Sequence, residues 1–306
     1  MKVPVVRPTS SLSTLASVFD HSNVLSTCLV SGAVLFRGFP DARDAMCLSS
    51  ILPGHEFAYV GATMGRDAMP RTYTSSAIFT GDVVATPCDT MPCFHHEFAH
   101  AFGRPSHLLF HAQCQSGHGE EETVLTDSRL IARYVRLRWP NVACELDDGV
   151  VYRRVMPHVT DVESRMGRSW RDILGVNSRV GAERIMAMNR MSWRWTDKGL
   201  WTQSPSLPAF RHHPKSGECA FFNSLIAAYN GWNDAQNRRS ASILFAKNER
   251  PIPNEFLRDV RRVAWDQRYE CMLKRNDVLL LDNVITMHTR DPFIGNETLH
   301  VRMLTS

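Results

Sequence analysis

Residues 93–100 read Cys93-Phe94-His95-His96-Glu97-Phe98-Ala99-His100. Three imidazoles and a carboxylate crowd into this stretch, and two registers of metal ligation overlap in it. His96-Glu97-x-x-His100 is the pattern of zinc proteases, in which two histidines four residues apart share one helix face and the glutamate acts as general base. His95-x-Glu97 offers instead an imidazole and a carboxylate two residues apart, which an extended chain directs to the same side. Two imidazoles and one carboxylate on one face of an octahedron hold non-haem Fe(II) in oxygenases and leave the other positions open. The first register predicts a helix and a hydrolase. The second predicts a strand edge in a β-fold and an oxidant.

Outward from the cluster, the protease register loses support. Pro92 suits a helix start and Gly103 falls where the extended pattern HExxHxxGxxH has its glycine, but the third histidine is required at position 106, which is Ser106. His107 comes one residue late, a rotation of about 100° on a helix. The iron register needs its second imidazole from a distant strand. His288 follows the apolar run Asp277-Val278-Leu279-Leu280-Leu281-Asp282 and opens His288-Thr289-Arg290-Asp291-Pro292-Phe293. An anionic 2-oxo acid co-substrate would call for a cation and a hydroxyl donor, for which Arg302 on the last strand and Thr123 are candidates. Arg290 is a candidate for binding substrate or for bracing the turn.

Around these residues the pattern alternates between strand and helix. Ser31 to Phe39, Leu108 to Gln113, Thr123 to Asp127, Asp277 to Asp282 and His300 to Leu304 read as strands. Asp41 to Leu52 reads as helix. So does Ser128 to Trp139, capped by Ser128, with Leu130, Tyr134 and Leu137, joined by Ile131, on its apolar face. Trp170 to Asn189 reads as largely helical, ending at a tryptophan-rich turn with Trp193, Trp195 and Trp201. Pro253 to Glu270 is a further helix with Phe256, Val260, Val263 and Ala264 on one face. Strands near both ends with a helical insert at about 160–270 predict a single α+β domain over 1–306, a sandwich or barrel closed by its first and last thirds.

With 43% hydrophobic and 22% charged residues, the 306-residue chain has the composition of a soluble globular protein. No apolar run approaches the roughly 20 residues that span a bilayer. No secretory h-region follows Met1-Lys2-Val3-Pro4, so a cytoplasmic location is expected. The eight cysteines form no CxxC pair, which favours free thiols. A net charge of +4 with scattered basic residues argues against nucleic acid as partner and leaves a small molecule. Oligomeric state is not legible.

The segment from Phe94 to Arg129 resembles the taurine dioxygenase/clavaminate synthase-like (TauD/TfdA) family of Fe(II)/2-oxoglutarate oxygenases. That family's pattern runs His-Asn-Glu, a proline, an apolar strand, then Gly-Gly-Glu-Thr and Asp-Ser-Arg. Here the chain has His95-His96-Glu97, Pro105, Leu108-Leu109-Phe110, Glu122-Thr123 and Asp127-Ser128-Arg129. Further blocks follow the family's order over almost the whole chain: Gly32 to Phe39, Gly149 to Arg154, His213-Pro214 with Ser216-Gly217-Glu218, Phe222-Asn223, Asp282-Asn283, and His288 to Phe293. The resemblance implies a double-stranded β-helix, or jelly roll, with helices outside. It implies His95, Glu97 and His288 as iron ligands, with Thr123 and Arg302 on the far carboxylate of 2-oxoglutarate, and O2 as co-substrate. It implies oxidation of an unactivated C–H bond, by default hydroxylation, of a small amino-acid-like substrate. The presence of Glu97 argues against halogenation. Departures are Glu120-Glu121 in place of Gly-Gly, the absence of the arginine often found near Glu297, and His96 in place of asparagine.

Blander roles compete at several positions. His100, His107, His111 and His118 suit structural or surface sites, the tryptophans suit packing, and Asp282-Asn283 suits a turn. Two other functions stay open: a zinc metalloprotease built on His96-Glu97-x-x-His100, and an inactive jelly roll that only binds.

Overall fold

The computed structural model describes residues 2–21, 23–52, 55, 57, 72–73, 78–84, 93–114, 121–160, 168–232, 234, 236–290 and 296–305. The apolar run near the C-terminus sets the layers. Val278–Asp282 is a strand buried along its whole length. Leu279 and Leu281 face one core, while Val278 and Leu280 face another. A strand covered on both sides carries apolar residues at every position, which is why this one lacks alternation. It pairs antiparallel with Ala33–Phe36 on one edge and His107–Cys114 on the other. The sheet they begin is seven-stranded, in the order Val5–Val6, Ala33–Phe36, Val278–Asp282, His107–Cys114, Asn296–Leu304, Ile78–Val84, Thr72–Tyr73.

A three-stranded sheet, Tyr269–Leu273, Glu121–Asp127, Thr286–Arg290, faces it. Leu108, Phe110, Val301 and Met303 from the large sheet share one core with Leu125, Cys271 and Leu273 from the small one. The outer face of the large sheet packs on the N-terminal helices through Phe19, Val24 and Leu48. The outer face of the small sheet, through Val124 and Met287, packs on the helices Ser128–Arg138, Pro140–Asp147 and Asn254–Asp266. Two facing sheets clad by helices are the jelly roll expected from the sequence. Asn254–Asp266 buries Phe256, Leu257, Val260, Val263 and Ala264; each of the larger side chains contributes about 1.5–3 kcal/mol.

Three local expectations are corrected. Pro40–Arg43 and Ala45–Ser50 are 3₁₀ segments rather than one helix. The Ser128–Arg138 helix is capped by Asp127, whose side chain accepts from the Arg129 amide at 2.8 Å. It buries Ile131, Ala132 and Val135, whereas Leu137 is 78% exposed. The helix leaves the small sheet directly at Asp127, so the strand sets which face turns inward, and a plausible apolar stripe is overridden. The segment 160–270 is not largely helical: beside its helices it carries Ser192–Trp195, Gly199–Gln203 and Ile243–Phe245, which with Val150–Pro157 form a four-stranded sheet. The tryptophan-rich turn is the antiparallel Ser192–Gln203 hairpin. Trp195 packs edge-on against Trp170 at 5.1 Å and donates to Glu183 at 2.7 Å, in keeping with the packing role.

Candidate metal centre

His95 and His288 lie directly opposite each other in an isolated antiparallel bridge. Each amide donates to the other's carbonyl, at 3.1 and 3.0 Å. Paired residues in such a bridge project to one face, and the two imidazole centroids stand 4.3 Å apart. Glu97, two residues beyond His95, brings Oε2 to 3.8 Å from His95 Nε2 and 3.9 Å from His288 Nε2. One ligand atom from each of the three side chains lies within 4.8 Å of the others. No other such group of histidine, cysteine and acidic side chains occurs among the described residues. Glu97 and His288 are buried, and His95 is partly open. Borderline imidazole nitrogens and a hard carboxylate oxygen, brought together while sharing no proton at these distances, are a donor set suited to Fe(II).

The backbone around these groups is tightly specified. The His95 Nδ1–H donates to the Cys93 carbonyl at 3.0 Å, which leaves the lone pair on Nε2, the nitrogen nearest Glu97. Asn283 clamps Glu97 from behind. Its Oδ1 accepts from the Glu97 amide at 2.8 Å, and its Nδ2 donates to the carbonyls of Glu97 and Pro105 at 3.1 and 2.9 Å. Phe98 then turns the chain with φ of 55°, a left-handed conformation that a bulky residue adopts at a cost of about 1–3 kcal/mol. Residues 97–100 form turns, not helix.

That turn separates the two registers. His96 points away from the triad. Its Nδ1–H donates to the Asn283 carbonyl at 2.6 Å and its Nε2 accepts from the Ser128 hydroxyl at 2.8 Å. Burial pushes its pKa down to about 3, only partly offset by the Asn283 and Phe221 carbonyls, so it is a neutral structural imidazole. His100 packs between Tyr152 and Trp232, with Nδ1 3.3 Å from the Ser224 hydroxyl. The helix that a zinc-protease motif requires is absent, and His96 and His100 do not join Glu97 in a ligand group.

Behind the loop sits a polar knot. Buried Asp282 accepts from the Val284 amide at 2.9 Å and lies 3.1 Å from His213 Nε2 and 3.9 Å from His107 Nε2. Burial would raise its pKa, but His213, His107 and the backbone together hold it below the usual carboxylate value. The Asp282-Asn283 turn therefore aims both the distal strand and the ligand loop. His111 is also structural, with Nε2 donating to the Ala42 carbonyl at 2.7 Å.

The other expected residues divide. Thr123 pairs with Arg290 across the small sheet while Leu125 pairs with His288. Residues two apart share a face, so buried Thr123 lines the same inner face as His288. The side chains of Arg290, Glu121 and Glu297, together with Glu120, His118, Cys88, Pro92 and Asp291-Pro292-Phe293, lie outside the described parts of the chain. Arg302 is not brought to the triad. Val301 and Met303 take the inward positions of its strand, so Arg302 faces outward and donates to the carbonyls of Leu48, Ile51 and Leu52. From Leu299 to Leu304 the strand keeps regular register with His107–Cys114, with Arg302 opposite Leu109 of the outer core, so simple strand alternation turns Arg302 outward. Sequence reading passed over Asn283 as a ligand-loop clamp, since an Asp-Asn pair at a strand end reads only as a turn.

Comparison with known proteins agrees with this architecture. Residues 11–305 match the family described as taurine catabolism dioxygenase TauD, TfdA family. A clavaminate synthase-like protein of Arabidopsis thaliana is 31% identical over 267 residues, spanning 86% of this chain and 78% of that protein. The dapdiamide synthesis protein DdaC of Enterobacter agglomerans is 22% identical over 316 aligned positions, spanning 99% of this chain and 91% of that protein. PvcB from Pseudomonas aeruginosa superposes with a TM-score of 0.54 at 12% identity, covering 99% of this chain and 85% of that one. A taurine dioxygenase from Burkholderia xenovorans superposes with a TM-score of 0.52 at 12% identity, covering 100% and 87%. At such identity the superpositions speak to the fold. The family match and the Arabidopsis relative go further: the chain belongs to the TauD/TfdA family of Fe(II)- and 2-oxoglutarate-dependent oxygenases.

Proposed function

We propose that His95, Glu97 and His288 hold Fe(II), that Thr123 receives the far carboxylate of 2-oxoglutarate, and that the protein hydroxylates an unactivated C–H bond of a small, amino-acid-like substrate. The observation that carries this reading is the convergence of the three side chains within 4.8 Å, His95 and Glu97 from one loop and His288 from the Thr286–Arg290 strand. Bound together, Fe(II), 2-oxoglutarate and O2 supply the oxidising chemistry that protein side chains lack. The chain's own part is placement. Two neutral imidazoles and one carboxylate leave a divalent ion with net positive charge, receptive to an anionic 2-oxo acid. The Cys93 carbonyl and Asn283 hold His95 and Glu97 in position. Phe110, its ring 5.3 Å from that of His288, keeps that side of the site apolar. Glu97 occupies the place that a halide would need, which favours hydroxylation over halogenation. Among the described residues no helix is long and apolar enough to cross a membrane. The free thiols of Cys28, Cys47, Cys144, Cys219 and Cys271 suit a reducing cytoplasmic home.

Anaerobic titration of the Fe(II)-loaded protein with 2-oxoglutarate tests the assignment through the weak visible charge-transfer band of the chelate. His288→Ala should abolish the band and His100→Ala should retain it. A protein that shows no band and cleaves peptides with zinc would overturn the reading, and a protein that binds neither metal would be an inactive jelly roll.

A further inference from the structure

Among the described residues, two partly buried arginines near the ligand loop, Arg104 and Arg211, form no salt bridge, although the charge of Asp282 acts on Arg211. Arg104 lies in the loop that follows the ligand turn, and Arg211 lies in the short strand Arg211–His212. Both approach the ring of Phe222, with Cζ at 5.5 and 5.2 Å from its centroid. Arg104 spends one hydrogen bond, from Nε to the Ala101 carbonyl at 3.0 Å. Arg211 Nη1 is buried with no hydrogen-bond partner. Two other shielded guanidinium groups have acidic partners: Arg129 pairs with Asp127 and Glu218, and Arg37 with Asp277. Burial and then the charge of Arg211 push the pKa of Arg104 down to about 10. Two cations gathered at one aromatic ring repel each other and lose hydration, an arrangement that an oxyanion between them would relieve. Guanidinium forks match a carboxylate in a bidentate way, and an aromatic ring beside them covers the apolar portion of the same ligand.

The pair adjoins the ligand loop through Phe222, whose ring lies 4.6 Å from that of His96. His100 is buried, its Nε2 has no hydrogen-bond partner, and its electrostatic neighbours include Glu97, His95 and Arg104. Resting on the oxygenase reading above, we propose that Arg104 and Arg211 form the carboxylate-recognition site for the substrate, with Phe222 against its apolar part and His100 Nε2 as a further polar contact. The substrate is then an anionic carboxylic acid. The pair is built from the ligand-loop extension and the 211–222 hairpin, outside the strands of the jelly roll. Thr123, proposed for the tail of 2-oxoglutarate, lines the inner face of those strands. Substrate and co-substrate carboxylates therefore have separate seats.

The test uses the Fe(II)-loaded full chain under anaerobic conditions. The wild-type protein is first titrated with 2-oxoglutarate to fix its Kd from the charge-transfer band. The proteinogenic L-amino acids and their primary carboxamides are then added as probes of that band. An acid should perturb it, and its amide should need about tenfold more, as the loss of a charge-assisted contact requires. Arg104→Gln and Arg211→Gln should weaken the acid by about tenfold or more while leaving the Kd of 2-oxoglutarate within about twofold. Arg104→Lys and Arg211→Lys, which keep a cation, should lose less, and thermal melts verify that each variant folds. The proposal is overturned if the variants weaken 2-oxoglutarate as much as the acid, which would make the pair the co-substrate anchor. It is also overturned if amides bind as well as acids, or if no acid perturbs the wild-type band. Absence of the band in the wild-type protein with 2-oxoglutarate would instead overturn the oxygenase reading itself, and this site with it.

Discussion

His95 and His96 are adjacent in the chain and opposite in function. His95 turns toward Glu97 and His288, with its ring fixed by one backbone carbonyl and its Nε2 directed at the triad. His96 turns into the protein, where Asn283 and Ser128 hold both ring nitrogens. An extended backbone alone dictates this divergence, since neighbouring side chains project to opposite sides. The front of the loop is built to receive a ligand. The back is built to keep the front in place, through Asn283 and the buried Asp282 knot. A pattern search that scores histidine and glutamate spacing sees both registers as equivalent; the alternation at His95 and His96, together with the turn at Phe98 that carries His100 away, separates them.

The contrast is broken most severely at the front. Glu97→Ala or His288→Ala should reduce Fe(II) affinity by more than about 100-fold, the upper end of what loss of a mere supporting residue costs, with little change in the thermal melt of the metal-free protein. Equilibrium dialysis against Fe(II) and calorimetry read the two effects separately. At the hinge between front and back, Asn283→Ala should do both kinds of damage. It orphans three buried backbone groups, destabilising the fold by about 3 kcal/mol and weakening metal binding by about tenfold. A variant that lost stability but bound metal normally would show that the clamp does not position Glu97.

Purely behind the loop, His96→Gln should cost about 2 kcal/mol through imperfect replacement of two buried hydrogen bonds, yet leave metal affinity of the folded protein within about twofold, less than the effect of losing a supporting residue. A large loss of metal affinity in denaturant-corrected titrations would restore His96 as a ligand. The smallest effect is expected far from the loop, at Asp259. Burial raises its pKa, but hydrogen bonds from Trp139, Arg262 and Tyr134 together outweigh that and hold it below the ordinary 3.8. A depressed folded-state pKa means that the carboxylate stabilises the fold above 3.8 and that this contribution is lost as pH falls through the lower folded value. Asp259→Asn should therefore cost about 1 kcal/mol near neutral pH and nothing once the wild-type carboxyl is protonated. Urea unfolding at the two conditions checks the sign.

Much of the architecture was legible because local chemistry and burial agree there. The run Val278-Leu279-Leu280-Leu281 admits only a strand covered on both faces, and Phe256, Val260, Val263 and Ala264 mark one helix face that nothing else competes to bury. The Ser128–Arg138 helix was legible as a helix but not in its orientation. Leu130, Tyr134 and Leu137 make as good a stripe as Ile131, Ala132 and Val135, and only the strand that ends at Asp127 chooses between them. The short strands of the insert were missed because none shows clean alternation: Ser192–Trp195 is mostly exposed, and Ile243–Phe245 is three residues buried throughout.

The sequence by itself determined the chemical inventory: a histidine two residues before a glutamate, a second histidine beyond an apolar strand, and a threonine ahead of Asp127-Ser128-Arg129, in the order of one family. Spacing along a chain carries that much because residues two apart on extended backbone share a face. What only the tertiary structure decided is which groups meet. The bridge between His95 and His288 closes a gap of nearly two hundred residues, and pairing opposite outward-facing Leu109 turns Arg302 to backbone carbonyls. Arg104 and Arg211 reach a common phenylalanine from a loop and a short strand. Pairing register and loop closure depend on contacts between distant segments, which no local pattern encodes.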